Sequence, residues 1–235
     1  MTENDKNRSI DFILSQGLEP APTARIRTLA LLKGLGLRFI FWDTAYSIIF
    51  TAVTLMGALA VLAWSPEVYS HSVAAAISPL LFLMITLFAE TAERAGGLYE
   101  LKQTCYHTAT QITALRAMCY SVLGLVFSVL VAAISATGTE LFWSLLPLCL
   151  CVFFLCACLH VSALRWLRQK WAPAIVSAVW AFVNLALPMA LAPKWEAFLR
   201  SVPIVAVCIV SALCAAILVW QIRYMLMEEK TYAVA

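Results

Sequence analysis

Six stretches of the chain are written almost wholly in apolar residues, and the polar residues gather between them. The runs are 44–64, 72–89, 117–137, 141–164, 172–192 and 202–220. Each is about 18–24 residues long, which at roughly 1.5 Å of rise per residue crosses a hydrocarbon core of about 30 Å. None alternates apolar and polar positions as the strands of an outer-membrane barrel do. The pattern predicts an all-α polytopic membrane protein with six transmembrane helices. Residues 1–22 are polar, end at Pro20 and Pro22, and contain no apolar core of a cleavable signal, so a cytoplasmic tail is expected. Residues 23–42 set Arg25, Arg27, Lys33 and Arg38 among Ile26, Leu29, Leu31, Leu32, Leu35 and Ile40. That is the make-up of an N-terminal amphipathic interfacial helix on an anionic membrane surface, with a plain cytoplasmic extension of the first span as the alternative. The expected division is then a transmembrane domain over 43–221 and a cytoplasmic C-terminal tail over 222–235.

Composition agrees with the pattern. Hydrophobic residues make up 63% of the chain and charged residues 12%, against about 45–50% and 25% in soluble domains. There are too few charges to cover a globular surface, so the lipid bilayer is an expected partner. A net charge of +3 gives no reason to expect nucleic acid. Where the cations lie matters more. With a cytoplasmic N-terminus, of the 16 Lys and Arg only Lys194 and Arg200 fall outside, which predicts both termini inside by the positive-inside rule; the expected location is the plasma membrane. Trp42, Trp64, Trp143, Trp166, Trp171, Trp195 and Trp220 stand near span ends, as interfacial indoles do, and Trp180 is the mid-span exception. The outer connections are short except 193–201, where Lys194, Glu196 and Arg200 alternate with Trp195, Phe198 and Leu199. That segment reads either as a short amphipathic piece dipping back toward the membrane or as an interfacial turn.

Candidate chemistry is sparse. Seven of the 8 cysteines sit in apolar runs, where cysteine is a small packing residue, and Cys105 lies in a polar interval. Cys149-x-Cys151 and Cys156-x-Cys158 have no cluster of His or carboxylates beside them, so no metal is expected. An ionisable residue inside a span is a functional candidate by default. Here His71 and His160 read as interfacial, and Asn184, Pro79 and Pro188 as packing and kink features. The chain has no phosphate-cradling Gly-rich loop ending in Lys-Ser/Thr, no Gly-x-Ser-x-Gly and no His-Glu-x-x-His. No catalytic residue and no cofactor of its own are therefore expected.

The polar interval Glu90–Arg116 is far longer than a connection between two spans requires. It holds Glu90, Glu93 and Glu100, the cations Arg94, Lys102 and Arg116, and the pair Gly96-Gly97. The glycines can break the helix leaving the membrane. Leu98, Leu101 and Cys105 then share a face at i, i+3 and i+7, predicting a cytoplasmic helix parallel to the surface. Thr108 and Gln111 have the spacing of a capping box for the rise into the third span. Counted from Gly97, Glu93-Arg94, Glu100, Thr108, Ile112 and Arg116 fall where the permeases of type-2 ABC exporters carry a Glu-Arg pair, a Glu, a small hydroxyl, an aliphatic and a cation. In that slot the chain resembles this family, although Tyr106 stands where the family often has proline. The resemblance implies a coupling helix between spans two and three that docks on a separate ATPase subunit. Glu93, Arg94, Gly97, Glu100, Leu101, Thr108 and Arg116 would form that partner-binding region. It further implies that ATP and Mg2+ are bound by the partner, and that a second permease, identical or homologous, completes a dimer. Charge-poor spans suit a hydrophobic, lipid-like or peptide cargo, and the family has no motif that places substrate residues. Two other readings stay open: a six-helix substrate-binding component of a vitamin-type importer, which needs polar residues converging in the outer half of its spans, and a membrane-bound regulator or sensor worked by residues 1–42.

Overall fold

The computed structural model describes residues 45–64, 66–95, 109–166 and 172–227. Within them the chain is a run of α-helices and one short 3-10 turn. Helix α1 spans Ala45–Trp64, a 3-10 turn covers Glu67–Tyr69, α2 is Ser70–Ile77, and α3 is Leu80–Ala95. They are followed by α4 (Ala109–Ser135), α5 (Thr139–Trp166), α6 (Ala172–Ser201) and α7 (Ile204–Met227). Four helical stretches are long and apolar enough to cross a membrane: Ser70–Ala89, formed by α2 and α3 together, Thr113–Ser135, Thr139–Leu164 and Ile204–Leu226. Among the described residues, α1 and α6 contribute shorter apolar stretches, Thr51–Trp64 and Ala174–Asn184. The predicted tail 1–22 and interfacial helix 23–42 lie outside the described residues.

Apolar side chains fill the interior in two adjoining clusters. Phe82, Leu115, Tyr120, Phe153, Val161, Leu218 and Ile222 bind α3, α4, α5 and α7 into one. Leu62, Ile77, Phe127, Val131, Leu145 and Cys149 bind α1, α2, α4 and α5 into the other. Helix α7 packs chiefly on α5, and α4 packs on α5 and on α7. Phe82 and Phe153 meet edge to face at 5.8 Å beside Gly124. A Cβ at Gly124 would stand 2.5 Å from the Phe153 ring and 3.1 Å from the Phe82 Cβ, so only glycine lets α4 approach this pair.

Several helix ends depart from the sequence expectation. The second apolar run is two helices, because Pro79 has no N–H to donate and its ring crowds the carbonyl one turn back. Ser78 still donates its N–H to Ala74 O at 3.0 Å, and Leu83 restarts the ladder on Pro79 O at 3.0 Å. The break is held across the bundle: the Ser78 hydroxyl lies 2.8 Å from Cys149 O and 2.9 Å from Ser128 Oγ. Helix α7 continues past Trp220 to Met227, into the region read as a tail. The segment 193–201 is neither a separate piece nor a turn. It is the last two turns of α6, which runs on through Pro193.

Candidate functional site

Helix α2 begins with a deficit. The first N–H groups of any helix lack intrahelical acceptors, and Tyr69, at the N-cap, makes no side-chain capping bond. The acceptor comes from far along the chain. Glu196, in the penultimate turn of α6, is only 3% exposed and places its carboxylate over the first turn of α2. Its Oε2 accepts the Ser72 N–H at 3.0 Å and the Ser72 hydroxyl at 2.6 Å. Its Oε1 accepts the His71 N–H at 3.2 Å and lies 3.0 Å from His71 Nδ1. A negative charge there also meets the positive end of the helix dipole.

The network spreads from this carboxylate to two further elements. Arg200, one turn beyond, donates Nε–H to Glu196 Oε1 at 3.2 Å and an Nη2 hydrogen to Val68 O at 3.0 Å. His71 Nε2 lies 3.3 Å from Ser144 Oγ on α5, and Ser70 Oγ lies 3.3 Å from His71 Nδ1. Glu196, with His71 and Arg200 as its intermediaries, thus ties α2, α5, α6 and the 66–69 connection at a single end of the bundle. Burial alone would push the Glu196 carboxyl up. The Ser72 hydroxyl and N–H, the His71 N–H and the adjacent imidazole outweigh it and hold Glu196 below the ordinary carboxylate value.

A second polar group sits deeper. His160, on α5, has no exposed surface, and among the described residues neither ring nitrogen has a hydrogen-bond partner. Its ring meets Phe82 edge on at 5.7 Å. Beside it is a cavity of about 20 Å3, also lined by Thr86, Thr113, Arg116 and Tyr120. That is room for one water-sized guest.

The residues singled out in the sequence fare unevenly. Arg116, only 6% exposed, is on the second turn of α4 against the His160 cavity. Glu93 and Arg94 are in the last turn of α3, without described side chains. Gly97, Glu100, Leu101 and Thr108 lie outside the described residues, and so does the rest of the expected coupling helix. Asn184 donates its Nδ2 hydrogen to Trp180 O at 3.0 Å, satisfied within its own helix. His71 and His160, both read as interfacial, are buried at 4% and 0% exposure. The His71–Glu196 pairing spans 125 positions, and no local pattern signals it. The signal available was a lone carboxylate in an apolar stretch beyond the fifth run. The seven described cysteines are free thiols, and among the described residues no group of three or more His, Cys, Asp or Glu could hold a metal ion.

Comparison with family models, with characterised proteins and with solved structures finds no match for this chain.

Proposed function

We propose that this chain is the membrane-spanning permease subunit of an ABC-type exporter, which couples ATP hydrolysis by a separate subunit to export of a hydrophobic, lipid-like or peptide cargo. The observation that carries the reading is the spacing of Glu93-Arg94, Gly97, Glu100, Thr108, Ile112 and Arg116 in the interval between α3 and α4. Glu93 and Arg94 sit in the last turn of α3 and Arg116 in the second turn of α4, so the described ends of this interval are carried by long helices. In this reading α1 and α6 are spans one and five, making six. Both termini face the cytoplasm of a plasma-membrane protein, and two permeases pair around the cargo path. The chain contributes no catalytic group, since ATP and Mg2+ are bound by the partner.

The test is purification of the tagged chain in mild detergent with its ATP-binding-cassette partner, followed by ATPase assay and peptide identification. The cassette subunit is expected to co-purify and to be lost on Glu93→Lys or Glu100→Lys. Absence of any such subunit, or indifference to both substitutions, refutes the proposal.

One observation favours a second reading, the substrate-binding component of a vitamin-type importer: polar side chains converge at one bundle end, around His71, Ser72, Ser144 and Glu196. Such a component would capture a small polar ligand as a single chain, and removal of Glu100 would not affect that capture.

A further inference from the structure

The end of the bundle that holds Glu196 also carries an open groove of about 510 Å3, lined by Val68, Ser70, His71, Leu141, Ser144 and Arg200. Its chemistry is divided. Arg200 supplies a guanidinium whose side chain is 49% exposed. His71, Ser144 and Ser70 supply an imidazole and two hydroxyls, while Val68 and Leu141 make the remaining wall apolar. The bonds from Arg200 to Glu196 and to Val68 O fix where the guanidinium sits before any ligand arrives. Glu196 itself is buried, and its carboxylate is engaged by α2, so Arg200 is the charged side chain among the described residues lining the groove, with exposed Glu140 one turn before Ser144 on α5. A positioned guanidinium beside hydroxyl donors is a phosphate-binding arrangement, because its planar fork matches two phosphate oxygens.

The surroundings say what carries the phosphate. Trp64 is 90% exposed, Trp143 65% and Phe198 56%, and Trp195 stacks on Phe198 at 5.7 Å. All four are at this same end, since α1 ends where α2 begins, α5 begins beside α2, and the last turns of α6 grip α2. Exposed aromatics ringing the end of an apolar bundle sit at headgroup depth. The groove is thus at the level of lipid phosphates, is much larger than a bare phosphate needs, and has an apolar wall for the start of a hydrocarbon chain.

We propose that this groove binds the phosphate-bearing headgroup of an anionic membrane lipid, with Arg200 on the phosphate oxygens and Ser144 and His71 on the headgroup's remaining polar atoms. Binding stands on the groove alone. That the bound lipid is the exported cargo rests on the exporter reading above.

The experiment is a native mass-spectrometry titration of the purified full chain in a neutral detergent. Three probes are compared at equal concentration: phosphatidylglycerol, diacylglycerol of the same chains, and glycerol 3-phosphate. The expected result is a saturable adduct with phosphatidylglycerol and none with the other two. Arg200→Gln is expected to weaken it roughly tenfold or more, the worth of one charge-assisted contact, with Arg200→Lys in between. Val68→Trp, at a position 61% exposed, narrows the groove while leaving every charged side chain in place and is expected to weaken binding as well. Arg223→Gln, at the opposite end of the bundle, is expected to leave it unchanged. If Arg200→Gln fails to fold, Val68→Trp decides the matter. Equal binding of diacylglycerol, equal losses in Arg200→Gln and Arg223→Gln, or full binding in Val68→Trp overturns the proposal. Equally tight glycerol 3-phosphate would assign the groove to a soluble phosphate ester and overturn the lipid claim. An ATPase that co-purifies with a chain showing no lipid adduct would sink this proposal and leave the exporter reading standing.

Discussion

Replacing Glu196 by alanine removes the acceptor that the start of α2 uses, and the structure sets the size of the effect. The His71 N–H, the Ser72 N–H and the Ser72 hydroxyl all lose their partner in a region with little solvent access. A buried donor left without an acceptor costs about 1–3 kcal/mol. The open groove nearby lets water reach part of the vacated space, which places each loss at the low end and the total near 3 kcal/mol. The Arg200 contact adds little, because a half-exposed ion pair contributes about 0–1 kcal/mol. Arg200→Gln is therefore the matched control, expected to cost under about 1 kcal/mol. Both would be measured by unfolding in mixed maltoside and dodecyl sulfate micelles, followed by intrinsic tryptophan fluorescence. A loss for Glu196→Ala several times that for Arg200→Gln is the expected outcome. Equal, small losses would refute the view that this carboxylate holds α6 to α2, and would make the contact a decoration of the bundle end.

Further outcomes follow from the same packing and electrostatics. Gly124→Ala should destabilise by about 1–3 kcal/mol, since its methyl would drive into the Phe153 ring, which is fully buried and braced by Phe82. Gly57→Ala meets nothing within 4 Å and should stabilise by about 0.5–1 kcal/mol through helix propensity, so the same assay should return opposite signs at the two glycines. The Glu196 carboxyl is held below its ordinary value of 4.5, so its contribution is in full force above that pH and is lost as pH falls through the lowered native value. Stability measured on the acid side should therefore decline in the native chain and decline less steeply in Glu196→Gln, and identical acid slopes would contradict the assignment.

Much of the architecture was legible because a helix in lipid must satisfy its own backbone, so an apolar run of sufficient length has few other structures open to it. The run 141–164 became α5 with each end displaced by two residues, the run 117–137 became α4 with its start two turns earlier, at Ala109, and the absence of alternating strands held among the described residues. What the pattern missed are consequences of contacts between distant residues. Pro193 and the charges after it looked like the end of a span, yet α6 continues to Ser201 because Glu196 and Arg200 find partners on α2 and at Val68. His71 looked like a residue reaching for water, and it is instead enclosed by a carboxylate more than a hundred positions away. His160 likewise reads as interfacial from the sequence, while the fold turns it inward against Phe82. The candidate site divides the same way. Arg116 sits on α4, and Glu93 and Arg94 in the last turn of α3, whereas Gly97, Glu100, Leu101 and Thr108 lie outside the described residues.

The interruption at Ser78–Pro79 separates two parts of one membrane crossing that answer to different neighbours. Above it, α2 is clasped by α6 through Glu196; below it, α3 leads without a break to Glu93 and Arg94. Ser78–Pro79 is therefore a joint between the half clasped by α6 and the half that carries Glu93 and Arg94. The joint itself is pinned to the centre of the bundle by the Ser78 hydroxyl against Ser128 and Cys149 O. The crossing is thus two rods set end to end about a pinned joint, the α2 half fastened to α6 and the α3 half packed through Phe82 and Ala89 against α4, α5 and α7.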